Sequence, residues 1–164
     1  MVDPDYMNSM VDPDYLNTTL STFSTLNENR LYTSQNGLDG ANWIFDTASA
    51  LVGDRLGGDV SIRFFEHSWA QPSVILRIEG TDATEKEMVI LGAHQDSTSN
   101  SPGANDDGSG SITLIQSLKI FMEAGFEPQR PVELHWCQCF SERGVAVLHT
   151  IIIFSFYQCL LMCV

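Results

Sequence analysis

Basic side chains are scarce. Eight Lys and Arg stand against 21 Asp and Glu in 164 residues, a net charge of −13 with histidine neutral. Phosphate backbones are held by clustered Lys and Arg, so this balance argues against a nucleic-acid binder. It argues equally against docking on an anionic membrane surface. Cysteine is missing from the first 136 residues, which is compatible with either redox compartment. No secretory leader is legible, since Met1 runs into acid and proline rather than a basic stretch and an apolar run. Charge is missing from Val145 to Val164, where 16 of 20 residues are apolar. All four cysteines (Cys137, Cys139, Cys159 and Cys163) fall on the far side of the same break.

What is present suits one domain, or an incomplete piece of a larger one. At 43% hydrophobic, the chain is too apolar to be disordered. It opens with a direct repeat, Met1 to Ser9 followed by Met10 to Thr18, identical at seven of nine positions. Nine residues are too few for a solenoid unit, so the repeat reads as a local duplication without function. Leu16, Leu20 and Phe23 then recur at helical spacing, with Pro13 suited to a helix start and Asp12 to its cap. Asn17-Thr18-Thr19 is a glycosylation acceptor, meaningful only in a secreted chain. A second amphipathic helix is predicted over Leu38 to Val52, ended by Gly53.

The period then changes. Asp59 to Phe65, Ser73 to Glu79 and Met88 to Ala93 read as strands, the last as an apolar run covered on both faces. A loop rich in Ser, Asn, Pro and Gly follows over 95–111. A helix comes next, with Ile112, Ile115, Leu118 and Met122 on its buried side and Gly125 as its stop. Pro131 to Trp136 reads as a further strand. Strand, loop, helix, strand predicts an α/β fold: a mixed, centrally parallel sheet flanked by helices.

Two segments stand where ligands gather in such sheets, beyond the carboxyl ends of strands. They are Gly92-Ala93-His94-Gln95-Asp96-Ser97 and Pro102-Gly103-Ala104-Asn105-Asp106-Asp107-Gly108-Ser109-Gly110. Imidazole and carboxylates suit a divalent metal such as zinc. Asp96 can fold back on the ring of His94 and fix its tautomer. By composition alone the same residues suit a solvated acidic turn just as well. A calcium loop counted from Asn105 through Asp107, Ser109, Gly110 and Ile112 fails, because its twelfth position is Gln116 rather than Glu and no helix precedes it. A serine-hydrolase elbow fails as well, since no Gly-x-Ser-x-Gly surrounds Ser109.

These segments, with Arg130-Pro-Val-Glu-Leu-His-Trp136 and His67-Ser-Trp-Ala-Gln-Pro-Ser73, resemble the co-catalytic zinc aminopeptidases, most of all the secreted fungal leucine aminopeptidases. The resemblance covers roughly residues 15–136. It implies that His94 binds one of two zinc ions, that Asp106 bridges both, that Asp96 orients His94, and that the Asp106–Asp107 peptide is cis. It implies a peptide substrate, release of an N-terminal apolar residue, and an extracellular location. The first Asp of the usual triplet is Asn105 here, next to the bridging position. After Trp136 the pattern departs further. The places of the family's paired glutamates hold Phe140 and Ser141, and Glu142, one residue late, is a weak candidate base. Two of five zinc ligands are then present, and His149 lacks the surroundings of a stand-in.

The expected division is therefore a duplicated segment (1–18), the N-terminal part of a zinc aminopeptidase-like domain (19–136) and a divergent apolar tail (137–164). The tail suits a shifted frame or retained intron best, then a membrane anchor across 145–164, then a core strand pair. The function expected is a truncated metallo-aminopeptidase of weak or no activity. The competing class is a non-catalytic remnant or membrane-tethered interaction protein.

Overall fold

A computed structural model describes residues 3–85 and 87–138. The expectations for Phe140, Ser141, Glu142, His149 and nearly all of the tail lie outside the described residues. Among those described, no helix is long and apolar enough to cross a membrane.

Both repeat copies start helices. In α1 (Pro4–Ser9) and α2 (Pro13–Thr25) the Asp-Pro-Asp motif places Pro in the first turn, where it has no backbone N–H to waste. Asp3 accepts from the Asp5 amide at 3.0 Å, and Asp12 from those of Asp14 and Tyr15 at 3.0 Å. The sequence predicts the second helix and misses the first, which buries no residue. Helix α2 runs through residue 18 and packs on α4 (Ser109–Glu123), sinking Phe23 completely.

Helix α3 (Gln35–Val52) begins three residues before the predicted start. The reason is Ser34, whose hydroxyl accepts from the Gly37 amide at 3.2 Å. Gly53, at φ 56°, ends the helix by returning its N–H to Ser49 O.

The strands are β1 (Val60–Phe65), β2 (Ser73–Ile78), β3 (Val89–His94) and β4 (Val132–Cys137), in sheet order β1-β2-β4-β3. β1 runs antiparallel to β2, and β2 antiparallel to β4, with Val74 opposite Trp136. β3 runs parallel to β4, with His94 opposite Cys137. Loop and α4 form the crossover between this parallel pair. Alternate residues on the strands (Val60, Val74, Leu76, Ile78, Leu134 and Trp136) meet Ile44 and Ala48 of α3 and Ile112, Ile115 and Leu118 of α4 in one core. Trp136 is fully buried, and its indole N–H donates to Ser111 O at 3.0 Å. That bond ties the centre of the sheet to the first turn of α4. The result is the mixed α/β sheet with flanking helices that the sequence predicts.

Candidate functional site

The strand β3 delivers His94 to the carboxyl edge of the sheet. Pairing continues one step further, as the Gln95 amide donates to Cys137 O at 2.8 Å. The chain then loops through residues 95–103 and makes a single wide helical turn over Ala104–Gly108 before entering α4. Inside that turn Asp106 and Asp107 leave helical geometry, and the peptide between them is cis. Asp106 reaches the His94 ring, and Asp107 reaches the His94 backbone.

The imidazole lies between two carboxylates. Nδ1 is 3.2 Å from Asp96 Oδ1 and 3.2 Å from Asp96 O. Nε2 is 3.0 Å from Asp106 Oδ1. His94 and Asp96 are buried, whereas the Asp106 side chain is 56% exposed, so the site opens to solvent on the Nε2 side. The backbone of His94 is fixed at both ends. Its N–H donates to Asp107 Oδ2 at 3.2 Å, and its carbonyl accepts from the Ser111 hydroxyl at 3.0 Å. Asp107 Oδ1 accepts from the Gly110 amide at 3.0 Å. A Cβ on Gly110 would collide with that carboxylate, which accounts for glycine there. The 67–73 segment joins the site through the Gln95 side chain, whose amide donates to Pro72 O at 2.6 Å.

Burial pulls the His94 pKa down, but the hydrogen bond and charge of Asp96, the charge of Asp107 and the hydrogen bond of Asp106 outweigh it. The net direction is upward from the ordinary imidazole value. A raised folded-state pKa contributes stability that is fully present below the unfolded value of about 6.5 and is lost as pH rises through the folded one. Metal binding runs the opposite way, since only neutral imidazole offers Nε2 as a donor. A proton NMR titration should therefore place the His94 midpoint above that of an exposed histidine. Asp96→Asn should lower the midpoint. A His94 midpoint below the ordinary value would contradict this balance.

His94 Nε2 and Asp106 Oδ1 are suitable in type for a zinc ion, and they converge. They are short in number, because zinc takes three protein donors in catalytic sites and four in structural ones. Among the described residues no group of three or more His, Cys, Asp and Glu side chains forms a metal-holding cluster. Glu142 lies outside the described residues. The site also contains residues that sequence reasoning missed. Asp107 and Ser111 hold the His94 backbone, and Arg30 braces the loop from behind. Arg30 did leave a signal, as the only Lys or Arg in the first 54 positions.

Comparison with known proteins points to one peptidase family. The model of Peptidase family M28 matches residues 73–139. The chain is 35% identical over 143 residues to Leucine aminopeptidase 1 of Emericella nidulans, covering 79% of this chain and 35% of that protein. It is 38% identical over 121 residues to Leucine aminopeptidase 1 of Penicillium rubens, covering 65% of this chain and 30% of that one. Among solved structures it is similar to LapB from Legionella pneumophila, with a TM-score of 0.73 and 25% identity, covering 88% of this chain and 40% of that chain. The chain thus spans about a third of the length of the curated relatives it matches. The resemblance to the co-catalytic zinc aminopeptidases, through their N-terminal part, holds.

Proposed function

We propose that this chain, a relative of Peptidase family M28 through the N-terminal part of that fold, carries the first half of the metal site of an aminopeptidase-type peptide hydrolase. In this reading His94 and Asp106 are metal ligands and Asp96 is the group that orients His94. The substrate class is a peptide with a free N-terminus and an apolar first residue, met outside the cell. The catalytic-domain part runs to residue 136 and starts with α2 at Pro13 rather than at residue 19, because that helix crosses the end of the repeat and packs on α4; the divergent tail follows.

The observation that carries the reading is the His94 imidazole held between a buried and an exposed carboxylate. Asp96 on Nδ1 fixes the tautomer that leaves Nε2 free of its proton, which is what a ligand histidine requires. The solvent-facing side of Nε2 is where Asp106 converges. A divalent ion bound in such a site supplies Lewis acidity toward a peptide carbonyl. The remaining task of these residues is to hold Nε2 and Oδ1 still.

The test is hydrolysis of a leucyl amide by the purified chain. The expected outcome is turnover far below that of a full-length relative, abolished by a chelator and restored by zinc. Zinc binding with no turnover would identify a non-catalytic remnant of the same site. Hydrolysis indifferent to the chelator, or no zinc binding at all, would overturn the assignment of His94 and Asp106.

A further inference from the structure

Arg30 sits between α2 and α3 and is 1% exposed. A buried guanidinium is costly unless its donors find acceptors. Here the acceptors are backbone carbonyls, all on the loop that separates the two halves of the site. Nε donates to Gln95 O at 2.9 Å, Nη2 to Gly103 O at 3.0 Å, and Nη1 to Pro102 O. Gln95 directly follows His94, and Gly103 precedes Asp106 by three residues. One planar group therefore holds both ends of residues 95–103.

The backbone of Arg30 adds to the brace. Its N–H donates to Ser97 Oγ at 2.8 Å, and its carbonyl accepts from the Ser97 amide at 3.2 Å. The Phe23 ring lies beneath the guanidinium, 4.2 Å from Cζ to the ring centroid. Glycines make room on both sides. A Cβ on Gly40 would lie 3.1 Å from Arg30 Cδ, and one on Gly103 would lie 3.1 Å from Nη2. Gly103 also needs the left-handed conformation, at φ 57°.

We propose that Arg30 is a positioning residue that sets the approach of His94 to Asp106 by tying both ends of the 95–103 loop to the packed helices α2 and α3. The fork matters as well as the charge. A lysine ammonium is a point charge on a flexible stem and cannot meet three carbonyls in one plane. An apolar residue of similar volume would fill the space and leave Gln95 O and Pro102 O without this donor, while Gly103 O would keep only the Gly108 amide at 2.9 Å. Burial pulls the guanidinium down to about 10, and the charges of Asp96 and Asp107 oppose that fall, so it stays cationic at neutral pH. Only the zinc measurement below rests on the metal-site reading of the preceding subsection.

The experiment compares the full chain with Arg30→Met, Arg30→Lys and Phe23→Leu. The readouts are residue-resolved amide exchange, urea unfolding and zinc titration by calorimetry. Arg30→Met should speed exchange selectively in residues 95–104, beyond any change in the strand amides of β2 and β4. It should weaken zinc binding about tenfold or more, the scale of losing a group that orients a ligand. Arg30→Lys should recover stability and little of the zinc affinity. Phe23→Leu removes the ring and none of the carbonyl contacts, so it should lower global stability and leave zinc affinity unchanged. Uniform acceleration of all amides in Arg30→Met, or zinc affinity that simply follows stability across the series, would overturn the proposal and make Arg30 an ordinary core residue. If the unsubstituted chain binds no zinc, the metal reading fails and the exchange data still decide the role of Arg30. If Arg30→Met does not fold, Arg30→Lys is read in its place, since it keeps the charge and loses the fork. Loop-selective exchange would then support the proposal, and its absence would overturn it.

Discussion

His94→Ala is expected to abolish zinc binding by the full chain, together with any chelator-sensitive hydrolysis of a leucyl amide. The site offers two described donors, and the substitution removes the buried one while leaving Asp106 as an exposed carboxylate. Asp96→Asn provides the scale. Asp96 touches the imidazole at Nδ1, so its loss should weaken zinc about 10- to 100-fold, as loss of an outer hydrogen-bond partner does. The alanine variant should fall below the range that calorimetry reads. If His94→Ala binds zinc as well as Asp96→Asn does, the donors lie elsewhere and the proposed site is wrong. A melting curve for each variant separates site from fold, because His94 also bonds the fully buried Asp96.

The second large effect concerns stability. Trp136 is fully buried near the carboxyl end of β4, the strand between β2 and β3, and its indole N–H closes on Ser111 O. Trp136→Ala should cost about 3–5 kcal/mol, the sum of lost apolar burial and the cavity left behind. Trp136→Phe keeps much of the apolar contact and removes the indole bond to Ser111 O, a carbonyl inside α4 that retains its helical partner, at a cost of about 0.5–1.5 kcal/mol for the lost bond. Urea unfolding followed by far-UV circular dichroism measures both through the midpoint at constant slope. The phenylalanine variant carries a further consequence. Ser111 also donates to His94 O, so loosening the first turn of α4 loosens the imidazole. A Trp136→Ala cost under about 1 kcal/mol would mean that the sheet centre is far less well packed than its burial implies.

Hydrophobic periodicity carried most of the fold, because the elements that bury a face must repeat at 3.6 or 2 residues. Helix α3 and strand β2 were legible for that reason. Their ends moved by one to three residues, as with Ser34, because caps act through side chains that periodicity does not weigh. Helix α1 was not legible, since six residues that bury nothing have no period. At the site, His94, Asp96 and Asp106 could be picked out because their types suit a metal and their order matches a known family. Asp107 was visible in a failed calcium loop and in the cis peptide, and neither reading shows that it holds the His94 amide. Arg30 stood out as the only Lys or Arg in the first 54 positions, yet its role was beyond reach for a different reason. Its contacts lie 65 to 73 residues away along the chain, and no local rule connects an arginine after α2 to carbonyls after β3.

The tandem start of the chain holds a matched pair. Two nearly identical stretches each make an Asp cap, with one amide bond in the first and two in the second, and share the proline entry into a helix. One then meets α4, and Tyr15 and Leu16 become part of the core margin; the other meets water, and Tyr6 stays 54% exposed. Local code and tertiary fate are thereby separated inside one molecule. Whatever the two tyrosines differ by, in quenching, iodination rate or solvent shift, is a direct reading of docking with the proline entry held constant.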